Sequence, residues 1–332
     1  MKSCVIEKPG TVVVKEHDRP RPTAGDVVVR IRASGICGTD VHIFRGDYLG
    51  DYPVVPGHEF AGDVVETGEA VTRFNVGDRV AIEPNVACDN CPACLRNEQN
   101  FCHNWQGIGV TRSGGMAEYV VVPQKAVFDI GEMPYETGAF VEPLACVLHG
   151  IERLNPRMAD TVAIIGAGPI GILLTKVLLL RGVSEITQVD RNEARVKYAE
   201  AAGAAVTTTD LGSLLNDHYD VVIDATGVPG VMQTCINYVR PGGRILLFGV
   251  PPQEGTVSFP AFPIFRKGLT ILSSFTSVRN SIQAVRLLGA GRLEVNSLIS
   301  HRFELNSLKR GLEIMESGED GVMKIQIFPD GT

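Results

Sequence analysis

The feature that most narrows what this chain can fold into is a glycine turn set between two apolar runs. Val162 to Ile165 reads as a buried strand and leads directly into Gly166, Ala167, Gly168, Pro169, Ile170 and Gly171, after which the apolar run Ile172 to Leu180 has the length of a helix. Strand, GxGxxG and helix in that order form the turn that receives a dinucleotide pyrophosphate. Gly166 permits the tight bend, Gly168 lets the backbone approach the phosphates, and Gly171 lets helix and strand pack closely. Free N–H groups at the helix start then face the anion. The second strand ends in Asp190, 24 positions after Gly166, close to the spacing of roughly 20 at which an acid reaches the adenosine ribose. A carboxylate there accepts from both ribose hydroxyls and repels a 2′-phosphate, so NAD is expected over NADP. Arg191 and Arg195 pull the other way, since either could meet a 2′-phosphate. A glycine-rich turn and a strand-end acid without a ligand form the plain alternative, which the shared register of strand, helix and acid disfavours.

The surrounding rhythm supports a doubly wound α/β fold. Six strands are expected, at Thr161 to Ile165, Glu185 to Asp190, Ala205 to Thr208, Asp220 to Asp224, Arg244 to Phe248 and Leu269 to Ser274. Six is the complement of a complete dinucleotide fold. Up to about Pro123 the chain is instead made of short β-rich runs punctuated by glycine and proline, the pattern of a compact β-rich domain. The expected division is therefore residues 1–150 for the β-rich domain and 151–276 for the coenzyme domain. Residues 277–332, with helices near Ser281 to Leu288 and Leu305 to Glu316 and strands near Leu298 to Phe303 and Met323 to Phe328, should return to the first domain.

Composition limits the partners. The formal charge is −7, hydrophobic residues make up 44% of the 332, and no run of Lys and Arg occurs; nucleic acid and anionic membrane surfaces are poor candidates as partners. Ile172 to Leu180 is too short to span a bilayer, and the residues after Met1 (Lys2, Glu7, Lys8, Pro9) do not look like a signal peptide. The cytoplasm is the expected location. In a reducing compartment clustered thiols are better read as metal ligands than as disulfides. Cys88, Cys91, Cys94 and Cys102 follow C-x2-C-x2-C-x7-C. Four thiolates on one loop suit closed tetrahedral zinc, which leaves no position for chemistry and makes this zinc structural. An iron–sulfur cluster is the less fitting alternative, because the bacterial spacing places its fourth cysteine three residues on and before a proline. Cys4, Cys146 and Cys235 are expected to be structural thiols.

A second constellation lies nearer the start: Gly35, Ile36, Cys37, Gly38, Thr39, Asp40, Val41, His42, followed by Gly57, His58, Glu59. Thiol and imidazole are borderline-soft zinc ligands, and a hydroxyl and a second imidazole lie within five residues of the thiol. Taken with the four-cysteine loop and the glycine turn, this set resembles the zinc-dependent medium-chain dehydrogenase/reductase superfamily over essentially the whole chain. The resemblance implies a GroES-like catalytic domain completed by the C-terminal tail, plus a Rossmann coenzyme domain. It also implies two Zn²⁺ per chain, with the catalytic ion on Cys37, His58 and Glu142, the last in the segment Glu142-Pro143-Leu144-Ala145 that is similar to the polyol branch. Glu59 would lie behind this metal or join it transiently, and Asp40 would orient the liganding imidazole.

The mechanism so implied has the metal acidify an alcohol. Thr39 would hold the substrate oxygen and pass its proton through the coenzyme ribose to His42. Hydride would go to nicotinamide C4, held in the cleft between domains, and a ketone would form. Ala225 and Thr226 would contact the coenzyme, with Ser274, Phe275 and Thr276 bordering its nicotinamide. Phe44, Trp105 and Phe275 could line the substrate pocket. Glu142 points to a sugar alcohol or related secondary alcohol. The run Cys37 to Phe44 is similar to L-threonine 3-dehydrogenase, which makes threonine the runner-up. A non-catalytic coenzyme binder or a zinc-free quinone reductase-like relative is the remaining alternative, against which the complete zinc set argues. Homodimers or homotetramers are what the resemblance implies.

Overall fold

The last strand of the chain, Lys324–Phe328, pairs antiparallel with the strand Asp26–Gly35, so the tail completes a sheet begun about three hundred residues earlier. In this computed structural model, which describes residues 1–48 and 50–331, the chain divides into two compact units. One is Met1–Ala145 with Val278–Thr332, and the other is Cys146–Ser277. The boundary falls inside the helix Val141–Leu154, a few residues before the change of rhythm in the sequence suggests.

The first unit is built on a seven-stranded sheet. Its order is Ile299–Glu304, Lys324–Phe328, Asp26–Gly35, Glu59–Thr67, Arg79–Ile82 and Val127–Asp129, with Tyr119–Pro123 also paired to Asp26–Gly35. Only the first two of these run parallel. Val27, Val29 and Ile31 alternate along their strand and meet Phe60, Val64 and Val80 in one core, as a period of two requires. Ile36, Ile325 and Ile327 join Leu308 and Leu312 of the helix Leu308–Ser317 in a second. The expected single helix from Leu305 is broken: Leu305–Ser307 is a 3₁₀ turn, and the α-helix starts only at Leu308.

The second unit is an all-parallel six-stranded sheet. From edge to edge it runs Val206–Thr208, Glu185–Val189, Thr161–Ile165, Tyr219–Asp224, Val239–Leu247 and Thr270–Ser273. Numbered along the chain, that is the 3-2-1-4-5-6 order of the Rossmann fold. Val162, Ala163 and Ile164 are fully buried, which is why the strand reads as a continuous apolar run. One strand begins earlier than expected, at Val239 rather than Arg244. Tyr219 pairs with Val239 and Val221 with Arg244, so Arg240, Pro241, Gly242 and Gly243 bulge out of the ladder. Proline and glycine signal a loop in sequence, and here they mark a bulge inside a strand.

A buried ion pair locks the tail strand in place. Lys324 Nζ donates to both Glu59 oxygens, at 2.8 and 2.6 Å, and to the Ile36 carbonyl at 3.2 Å. The side chains are 5% and 1% exposed. Burial pulls the lysine toward losing its proton, but Glu59, Cys37 and Glu142 outweigh it and hold its pKa above the ordinary value. Removing one partner of such a pair strands a charge, whereas replacing both does not. Lys324→Met is therefore expected to lower the unfolding free energy of the metal-free protein by about 3–5 kcal/mol. The double variant Lys324→Met/Glu59→Gln should recover most of that loss, as read from urea denaturation midpoints.

Candidate active site

Sheet register assembles the cluster. Gly35 pairs with Glu59 on one side and Gln326 on the other, so Cys37, His58 and Lys324 all arrive at one end of three adjacent strands. A Cβ on Gly35 would lie 2.3 Å from Glu59 Oε2; only glycine lets that carboxylate lie against the strand. Cys37 caps the helix Gly38–Arg45, and Asp40 closes a capping box by accepting the Cys37 N–H at 2.8 Å. The other oxygen of Asp40 accepts the Gly57 N–H at 3.1 Å and lies 3.5 Å from His58 Nδ1. One fully buried carboxylate therefore ties the cysteine segment to the histidine segment.

The ligand atoms of Cys37, His58 and Glu59 lie within 4.8 Å of one another. Burial alone would lower the pKa of His58, but Asp40 and Cys37 outweigh it and hold the imidazole well above its ordinary range. A site that concentrates negative charge around a buried imidazole is one where a divalent ion can take the proton's place, and the donor set of sulfur, nitrogen and oxygen suits zinc. Glu142, in the first turn of the helix Val141–Leu154, is buried and close enough to act electrostatically on Lys324. Among the described residues it lies outside the three-member cluster. Thr39 and His42 are both half-buried and sit three apart on the helix that Cys37 caps, hence on one face. Lys324 escaped sequence reasoning, since it lies 265 positions from Glu59 in a run that reads only as a strand.

The four cysteines converge as their spacing suggests. Their sulfurs lie within 4.8 Å of one another, with Cys91 Sγ at 3.5 Å from Cys94 Sγ and 3.9 Å from Cys102 Sγ. Zn–S bonds of about 2.3 Å at tetrahedral angles place sulfurs about 3.8 Å apart, so the spacing fits a zinc and is far from a disulfide bond. Backbone N–H groups of Cys94 and His103 push the Cys91 thiol down to about 6, while burial pushes the neighbouring Cys94 up to about 12. Trp105 packs against this lobe and against the core that holds Val41 and Phe44, and its Nε1–H donates to Asn85 Oδ1 at 3.0 Å. Cys4 and Cys235 are pushed up to about 12 by burial and stay thiols.

In the second unit a cavity of about 360 Å³ is lined by Gly166, Gly168, Asp190, Arg191, Arg195, Ala225 and Thr226. Pro169, Ile170 and Gly171 open the helix Pro169–Leu180 beside it. A Cβ on Gly171 would sit 2.1 Å from the Gly166 carbonyl oxygen, the close packing expected of the third glycine. Asp190 accepts the Ala167 N–H at 2.8 Å and the Asn192 N–H at 2.9 Å, so it braces the glycine turn as well as facing the cavity. Gln188, which sequence reasoning missed, donates to the Gly166 carbonyl at 3.0 Å. Asp224 shapes the opposite wall by accepting from Thr226 Oγ1 at 2.6 Å and the Gly227 N–H at 3.1 Å. At the end of the sixth strand, Ser274 Oγ and Thr276 Oγ1 are buried without a hydrogen-bond partner among the described residues, as is His149 Nε2. Thr276 also holds a left-handed φ of 51°, costly for a β-branched residue. Phe275 is 36% exposed.

Comparison with known proteins agrees with this geometry. The family model for the alcohol dehydrogenase GroES-like domain matches residues 23–132, and that for zinc-binding dehydrogenases matches residues 169–289. D-altritol 5-dehydrogenase of Agrobacterium fabrum is 37% identical over 310 residues, covering 91% of this chain and 92% of the relative. L-threonine 3-dehydrogenase of Shewanella frigidimarina is 31% identical over 322 residues, covering 92% and 93%. The crystal structure of a zinc-binding dehydrogenase from Sinorhizobium meliloti bound to NADP superposes with a TM-score of 0.95, at 34% identity and 99% coverage of both chains. With both halves of the chain matched by family models and relatives of 37% and 31% identity each covering more than nine-tenths of it, this protein belongs to the zinc-dependent medium-chain dehydrogenase/reductase superfamily, in its polyol and threonine dehydrogenase branch.

Proposed function

We propose that this enzyme oxidises a secondary alcohol of a polyol to a ketone, with hydride transfer to NAD. The observation that carries the reading is the convergence of the half-buried Cys37 with the buried His58 and Glu59, in a chain 37% identical to a polyol dehydrogenase. Cys37 and His58 would hold the catalytic zinc with Glu142, and Glu59 is positioned to join them. When bound, that zinc supplies a Lewis acid that lowers the pKa of the substrate hydroxyl. Asp40 keeps the Cys37 and His58 segments together. Thr39 would hydrogen-bond the substrate oxygen, and His42 would take up the proton that leaves it. The second zinc is structural, held by Cys88, Cys91, Cys94 and Cys102.

Asp190 receives the adenosine ribose, which favours NAD, while Arg191 and Arg195 on the same cavity are the groups a 2′-phosphate would use. Gly166, Gly168, Pro169, Ile170 and Gly171 take the pyrophosphate, with Ala225 and Thr226 on the facing wall. Ser274, Phe275 and Thr276 border the nicotinamide. L-Threonine is the alternative substrate, favoured by the run Cys37 to Phe44 and by the threonine dehydrogenase relative.

No helix among the described residues is long and apolar enough to cross a membrane, and free clustered thiols suit the reducing cytoplasm. Phe262 and Phe265, exposed on the helix Ala261–Lys267 of the coenzyme unit, support assembly into a homodimer or homotetramer.

Three measurements test this reading. Metal analysis should return two zinc ions per chain, falling to one in Cys94→Ser. A screen of NAD reduction over sugar alcohols, threonine and simple alcohols should favour a sugar alcohol; Cys37→Ala should abolish turnover, and Thr39→Ala or His42→Ala should slow it by about 10²–10⁴-fold. Wild-type rates in all three variants would reject the scheme. The ratio of kcat/KM for NAD over NADP should exceed one, and a clear NADP preference would transfer the decisive role from Asp190 to the two arginines.

A further inference from the structure

We propose that Asp47 is a positioning residue for His42; the inference rests on the proton route just described. The helix Gly38–Arg45 ends in a Schellman turn. Gly46, at φ 85°, donates its N–H to the Ile43 carbonyl at 3.1 Å, and the Asp47 N–H donates to the His42 carbonyl at 3.1 Å. The same turn thus fixes the backbone of Asp47 against the residue whose ring it contacts. Asp47 Oδ1 lies 2.8 Å from His42 Nδ1.

A carboxylate can only accept, so the hydrogen of the neutral imidazole is placed on Nδ1 and the lone pair is left on Nε2. That matters for proton transfer, because the opposite tautomer has no acceptor at Nε2. When Nε2 takes the proton, the ring becomes a cation while Nδ1–H stays bonded to Asp47, and this bond gains charge assistance. Loss of the Nε2 proton to solvent returns the ring in its starting tautomer, so the cycle needs no further reactant. The exposures suit that exit: His42 is 18% exposed and Asp47 39%. The ring of Tyr48, its centroid 6.3 Å from that of His42 and tilted by 40°, flanks the pair. In sequence Asp47 reads as an ordinary turn residue following a glycine.

The test is a double-mutant cycle on the zinc-loaded, full-length enzyme, with the best alcohol from the screen. Measured for Asp47→Asn, Asp47→Ala, His42→Ala and the His42/Asp47 double alanine variant are kcat, both KM values, the solvent deuterium isotope effect on kcat, and Tm. The expectation is a roughly 10- to 100-fold loss of kcat in both Asp47 variants, the range found when a partner orienting a functional histidine is removed. KM values and Tm should hold, the isotope effect should grow, and Asp47→Ala should cost nothing further in the His42→Ala background. An unchanged kcat in the Asp47 variants, or a loss of equal size with and without His42, overturns the proposal while leaving His42 as proton acceptor. So does a loss accompanied by raised KM and lowered Tm, the mark of a merely structural role. If His42→Ala itself turns over normally, the proton route fails and this inference falls with it.

Discussion

Cys37 and His58 stand on two separate chain segments, and the buried carboxylate of Asp40 is what ties those two together. An ionised group removed from water is tolerable only when its oxygens are hydrogen-bonded, and here the donors are main-chain N–H groups of Cys37 and Gly57. The positions of the thiol and the imidazole follow from backbone anchoring more than from side-chain rotamers, which is the kind of support a metal site needs. Asp40 is also the third residue of the helix it caps. Helix start and site geometry share one group, so the segment bearing Thr39, His42 and Asp47 cannot rotate without moving Cys37.

Charge explains why so many ionisable groups are packed beneath that junction. Asp40, Glu59 and Glu142 are buried beside the half-buried Cys37, and Lys324 is buried with them. Lys324 neutralises Glu59 through two short hydrogen bonds, which holds that carboxylate ready beside Cys37 and His58 without leaving it uncompensated. Metal ligands must be deprotonated, so metal affinity at such a site depends on pH. A neutral, apolar cluster of the same volume would pack at lower cost. It would not attract a divalent cation.

The coenzyme unit was the more legible half of the molecule. Its central strands are buried on both faces and therefore announce themselves as apolar runs, and the glycine turn at 166–171 is a local pattern of backbone requirements. The four-cysteine lobe was legible for a similar reason, since its four thiols lie within fifteen residues on a loop short enough to bring them together. What stayed hidden was non-local. Lys324 meets Glu59 only because Gly35 pairs with Glu59 and Gln326 at once, and register across three strands is not written in any one of them. Gln188 and Asp47 were missed because their work is to hold a neighbour, and a glutamine in a strand or an aspartate after a glycine carries no signal of that. The Arg240–Gly243 bulge was hidden for the opposite reason: its proline and glycines signal a turn in whatever context they occur.

Within the coenzyme unit the two ends of the site are prepared differently. At the glycine turn the polar groups are already engaged: the Gly166 N–H donates to the Val189 carbonyl at 2.7 Å, its carbonyl accepts from Gln188, and Asp190 accepts from Ala167. The turn is preorganised, and binding there spends little on rearrangement. At the end of the sixth strand, Ser274 and Thr276 bury hydroxyls without partners among the described residues, at a desolvation cost of about 1–3 kcal/mol each, and Thr276 adds the strain of a left-handed backbone. Such costs are kept where a ligand offsets them, and the carboxyl ends of strands in an open parallel sheet are where ligands bind. Under the proposed function that ligand is the nicotinamide, whose carboxamide offers both a donor and an acceptor to the two hydroxyls. On that reading the rigid end would anchor the coenzyme, and the strained end would recover stability only with the reactive ring in place.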